Sequence, residues 1–145
     1  MFINRDGFVK VAEPLLFGLE KNHIEAMQVS EEKPLAVHLS PEIMGCLDDQ
    51  NFFYYDKEKS DVFTMAMIMV DLALLSDNYL FDTKHRKPKL ETIPRLLGKV
   101  AEQYSPSFVD LLGEMLRVEA KQRPNLPEII EKIEKYNNIT DEFTL

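Results

Sequence analysis

The chain has 145 residues, 45% of them hydrophobic, which is enough for one domain with a real core and too few for two comfortable ones. Lys and Arg total 17 against 25 Asp and Glu, a net charge of −8, which argues against a phosphate-neutralising surface and so against nucleic acid as a partner. The single Cys46 excludes an internal disulfide, and the opening MFINRDG puts a charge pair where a secretory signal carries its apolar segment, so a cytoplasmic location is expected.

In chain order, Phe2-Ile3 and FVKVA (Phe8 to Ala12) are short β-prone runs on either side of Asn4-Arg5-Asp6-Gly7. Asp-Gly between such runs predicts a small hairpin, because both residues tolerate positive φ. Residues 13–39 show no steady period and contain Pro14, Gly18 and Pro34, so an irregular connection is expected there. Ser40-Pro41-Glu42 predicts a short helix, with Ser40 as cap and Pro41 where its missing N–H is harmless, ending near Gly45. A loop with the aromatic cluster Phe52 to Tyr55 follows.

From Val62 to Leu75 only Thr64 and Asp71 interrupt an apolar run of 14 residues. That length falls short of the ~20 residues that a membrane-crossing helix requires. A helix apolar all round is expected to be buried all round, with Ser60 or Asp61 as its cap. Residues 76–90 read as a loop ending in the basic stretch KHRKPK, Lys84 to Lys89. Three amphipathic helices are then predicted from steps of three and four. Their stripes are Ile93, Leu96, Leu97, Val100, Ala101 and Tyr104; Phe108, Leu111, Leu112, Met115 and Leu116; and Leu126, Ile129, Ile130 and Ile133. Ser105-Pro106 separates the first two, and Asn125 with Glu128 predicts a capping box on the last. The expected organisation is one domain over residues 1–136 and a loose tail over 137–145.

The chemistry-bearing residue types are sparse. His23, His38 and His85 have no metal-ligand spacing with one another or with Cys46, so no metal site is expected. Glu31-Glu32 and Asp48-Asp49 are read as solvated pairs. Met65, Met67 and Met69 read first as core packing, with an adaptable binding surface as the alternative. Lys84, Arg86 and Lys87 make KHRKPK a candidate docking point for an acidic or phosphorylated partner, against a plain hydrated loop.

Taken in order, four segments resemble the later part of a eukaryotic protein kinase catalytic domain. FVKVAEP resembles the strand leading into the metal-binding DFG motif, and SPE at Ser40 to Glu42 resembles the APE motif that closes the activation segment. SDVFTMA, Ser60 to Ala66, resembles SDVWSLG at the start of the central helix of the large lobe. FVDLLGEMLRVEAKQRPNLPEIIEKI, Phe108 to Ile133, resembles the pattern of the last two helices. The resemblance covers almost the whole chain and implies a mainly α fold: a kinase C-lobe-like helical bundle around a central buried helix, with a small N-terminal β-hairpin. It also implies an ion pair between Glu42 and Arg123, since the APE glutamate pairs with the RP arginine in that family. Asp61 matches the aspartate that ties the central helix to the catalytic loop; that loop does not occur in this sequence, which leaves Asp61 as a helix cap.

Phosphoryl transfer in this family needs a glycine-rich lid, a strand lysine, a catalytic aspartate with its asparagine, and the DFG aspartate that holds Mg²⁺. The sequence carries none of the first four, and at the DFG position it reads Glu13-Pro14-Leu15. One carboxylate without phosphates or an asparagine partner makes a poor magnesium site. The expectation is therefore a degenerate pseudokinase C-lobe with no catalysis, no cofactor and no ATP. In the family, one wall of the central helix comes from a helix that this sequence lacks. An uncovered strip of several hundred Å² there would cost on the order of 10 kcal/mol at ~25 cal/mol per Å². A binding or structural subunit is thus expected, its central helix covered by a protein partner or by self-association. The alternative is the distal part of a protein kinase that phosphorylates protein only when an N-terminal half is supplied.

Overall fold

The computed structural model describes residues 2–3, 9–10, 38–43, 55–76, 81–82 and 87–141, and the side chains of 38–43, 55–76 and 89–136. Residues 1–35 and 36–145 form two compact units. In the first, β1 (Phe2–Ile3) pairs antiparallel with β2 (Val9–Lys10), Phe2 opposite Lys10 and Ile3 opposite Val9. The Asp6-Gly7 turn residues, Glu13-Pro14-Leu15, Cys46, Lys84 and Arg86 lie outside the described residues.

The second unit is mainly helical. Helix α1 (Lys57–Leu74) is its centre, followed by α2 (Ile93–Ala101), α3 (Pro106–Met115) and α4 (Leu126–Asp141). Single 3-10 turns at Leu90–Thr92 and Ala120–Gln122 lead into α2 and α4. Residues 76–90 are not a plain loop: β3 (Phe81–Asp82) pairs antiparallel with β4 (Lys87–Pro88), which places Lys87 opposite Asp82. Two-residue strands, one with a proline, are too short for any alternation to show in the sequence.

The start of α1 differs from expectation. Asp56 is the cap, its Oδ1 accepting the backbone N–H of Lys59 at 3.2 Å. Asp61 is therefore not a cap but an exposed residue inside the helix. Lys57, Glu58 and Lys59 favour helix, so the helix begins more than a turn before the apolar run. Ser60, the other expected cap, is buried and bonded elsewhere.

Nor is α1 buried all round. Val62, Phe63, Ala66, Met67, Val70 and Ala73 face the core, where they meet Ile93, Leu96 and Val100 of α2 and Leu111, Leu112 and Met115 of α3. On the opposite arc Leu72 is 63% exposed, while Met65, Ile68 and Met69 are half-buried. Among the described residues, α2 and α3 lie against one side only, because each offers a single apolar stripe.

The later helices follow their caps. Ser105 Oγ accepts the N–H of Phe108 at 3.4 Å to start α3. Asn125 and Glu128 form the capping box: Asn125 Oδ1 accepts the Glu128 N–H at 2.9 Å, and Glu128 Oε2 accepts the Asn125 N–H at 2.7 Å. Helix α2 stops at Ala101, three residues short of Tyr104, whose ring packs at 5.4 Å on Phe108 instead. Helix α4 runs past Tyr136 to Asp141, through residues expected to form a loose tail.

Candidate functional site

Two features stand out in the second unit: a polar seam along the inner side of α1 and the apolar strip on its outer side. The seam is built by residues 38–43, of which 41–43 are helical. His38 Nε2 lies 2.7 Å from Asp71 Oδ2, and the His38 carbonyl accepts from Thr64 Oγ1 at 3.0 Å. Ser40 and Ser60, both buried, share a hydroxyl hydrogen bond of 2.8 Å. These contacts use both polar interruptions of the apolar run, Thr64 and Asp71, to hold one segment against the helix. A polar side chain in such a run needs a partner, because an unsatisfied group in the interior costs its full desolvation.

The seam ends at Arg123, which is 2% exposed although fully charged. Nη1 donates to Glu42 Oε1 at 2.7 Å and to the Lys59 carbonyl at 2.8 Å. Nη2 donates to Glu42 Oε2 at 2.9 Å and to the Val118 carbonyl at 2.9 Å, and Nε donates to the Arg117 carbonyl at 2.7 Å. All five guanidinium donors are thereby spent, and Cζ stands 4.9 Å over the centre of the Phe63 ring. Lys59 Nζ returns a bond of 2.6 Å to the Arg123 carbonyl. The bidentate fork fixes three separate stretches of chain at one point and leaves no donor for a ligand.

The outer strip of α1 comprises Met65, Ile68, Met69 and Leu72, with Asp61 one turn before Met65. Partial burial raises the Asp61 carboxyl above its ordinary value. Met67 lies on the opposite arc and is 1% exposed, which removes it from any surface role. Met65 and Met69 remain on the accessible side, and Lys87 sits on the short β3–β4 ladder away from the helix in sequence. Among the described residues no three His, Cys, Asp or Glu side chains converge as a metal site, and no helix is long and apolar enough to cross a membrane.

Sequence reasoning missed the Ser40–Ser60 and His38–Asp71 contacts. An aspartate inside a greasy helix signals that a partner exists; nothing in the spacing says which of three histidines supplies it. No family model matches the chain.

Proposed function

We propose that this chain is a non-catalytic, protein kinase-like C-lobe that serves as a protein-binding or structural subunit, its α1 strip covered by a partner polypeptide. The observation that carries the reading is the strip itself: Met65, Ile68, Met69 and the 63%-exposed Leu72 line one side of an otherwise core helix. An exposed leucine continuous with half-buried apolar side chains is the kind of surface that a partner covers. Two of the four residues are methionines, whose unbranched, polarizable side chains repack readily against a partner. The kinase-like part of the reading rests on the four motif segments, and it is supported by the chelation of Arg123 by Glu42, the contact that the resemblance implies. That contact is architectural, and its donors are exhausted, so nothing at this node performs chemistry.

The test uses the full chain. Native mass analysis of protein purified under mild conditions is expected to find it with a companion chain or as a multimer, and the isolated chain is expected to bind a hydrophobic dye while folded. Replacing Leu72 and Met65 by Gln removes apolar surface without touching the core, so dye binding and association fall while the melting transition stays. A monodisperse chain that melts cooperatively and refuses the dye sinks the proposal. ATP with Mg²⁺ is expected to leave the melting midpoint where it is; a rise of several degrees overturns the non-catalytic reading, since a ligand of the native state must stabilise it.

A further inference from the structure

The methionines whose side chains are described fall into two sets. Met67 on α1 and Met115 on α3 are sealed in the core, at 1% and 0% exposure. Met65 and Met69 are half-buried on the outer arc of α1, four residues and so about one turn apart, in line with Leu72. Within that strip they differ from Ile68 and Leu72 in one chemical respect: a thioether sulfur has a lone pair that a mild oxidant can take, and an aliphatic side chain has none.

We infer that Met65 and Met69 form an oxidation-controlled site, at which a hydroperoxide converts the α1 strip from a surface that accepts an apolar partner into one that rejects it. The inference rests on the reading of the strip as an interface. In the step, the sulfur gives an electron pair to one peroxide oxygen and the O–O bond breaks. The proton on the transferred oxygen passes to the departing one, which leaves as water or an alcohol, so that sulfur is oxidised by two electrons and the peroxide reduced by two. The resulting sulfoxide carries a strong acceptor oxygen, and covering it with apolar surface desolvates that oxygen without a donor. The fold is insulated from the change. Met67 and Met115 are out of reach, and Thr64 and Asp71, which hold the His38 segment to α1, bond from positions about 100° or more around the helix from Met65 and Met69.

The test treats the full chain with limiting hydrogen peroxide and then reduces its thiols with dithiothreitol, and peptide mass mapping follows each methionine. Met65 and Met69 are expected to take up oxygen at least about tenfold faster than Met67 and Met115, because the sealed pair reacts only when the core opens. The oxidised chain is expected to melt cooperatively, to bind less hydrophobic dye and to associate at least about tenfold more weakly, and methionine sulfoxide reductases restore both properties. Met65→Leu with Met69→Leu keeps the strip apolar at similar volume, so dye binding and association stay and peroxide no longer lowers either. Equal oxidation of Met67 and Met115, undiminished association after Met65 and Met69 are oxidised, or a peroxide effect that persists in the leucine variant overturns the inference and leaves the interface standing. Loss of the melting transition on oxidation overturns it too, because the sulfoxides then act through the core. An untreated chain that neither associates nor binds the dye sinks the interface reading, and this inference with it.

Discussion

Arg123 shows how one side chain concentrates stability. Its charge is almost wholly removed from water, and that burial is tolerated because a carboxylate and three carbonyls replace the lost hydration. Lysine cannot reproduce the fork, so Arg123→Lys leaves Glu42 without its second bond and the Arg117 and Val118 carbonyls without a donor. Urea unfolding is expected to show a loss of about 3 kcal/mol for Arg123→Lys. Glu42→Gln leaves the buried Arg123 cation without a counter-charge and turns an amide donor toward a guanidinium nitrogen, and is expected to lose at least as much, about 3–5 kcal/mol. Leu75 works in the opposite direction. It closes α1 at φ 47°, ψ 41°, the left-handed region, as an exposed leucine where glycine has no steric penalty. Leu75→Gly is expected to raise stability by about 1 kcal/mol, read as a higher thermal midpoint.

Within α1, the consequence of misplacing the cap is measurable. Asp56→Ala removes the side-chain acceptor of the Lys59 N–H and is expected to cost about 1 kcal/mol. Asp61→Asn is expected to do the reverse. Desolvation raises the native carboxyl, so the folded state binds protons that the unfolded chain has already lost. That penalty is complete at neutral pH, shrinks as pH falls through the raised value, and is gone below the ordinary 3.8. Asp61→Asn therefore gains stability near pH 7, by less than about 1 kcal/mol because the group is largely solvated, and gains nothing near pH 3. Paired urea titrations at the two pH values check the sign. The cap was ambiguous in the sequence because Asp56, Ser60 and Asp61 are all capping types and the residues between them favour helix. The later helices were easier to read. Three- and four-residue steps mark α2, α3 and α4, and Ser105 and Asn125 mark where two of them begin. Their ends were harder, since Ala101 and Asp141 carry no glycine or proline signal. The polar seam was nearly invisible: Glu42 and Arg123 stand 81 positions apart, and no periodicity links them. Only the family resemblance named that pair, and nothing named His38 with Asp71.

Residues 36–145 carry their cohesion unevenly. Helices α1, α2 and α3 share a dry core, with Val62, Phe63, Val70, Val100, Leu112 and Met115 sealed from water. Among the described residues, the contacts that hold helix α4 include Ile129, the half-exposed Lys132–Glu114 pair, and Glu58 Oε1 accepting the Leu126 N–H at 2.8 Å. The ion pair is strengthened on the lysine side, because the hydrogen bond to Glu114 raises the Lys132 ammonium further. Half-exposed pairs of this type nevertheless contribute at most about 1 kcal/mol. Burying one isoleucine side chain adds about 1.5–3 kcal/mol, so α4 detaches at less free energy than the core requires to unfold. Native-state hydrogen exchange is expected to resolve this as two steps. Amides in α1 between Ala66 and Val70 exchange only by global unfolding, and those in α4 beyond Ile129 exchange through local opening, at least about tenfold faster. If α4 amides already exchange as slowly as those of α1, the helix unfolds with the core as one cooperative unit.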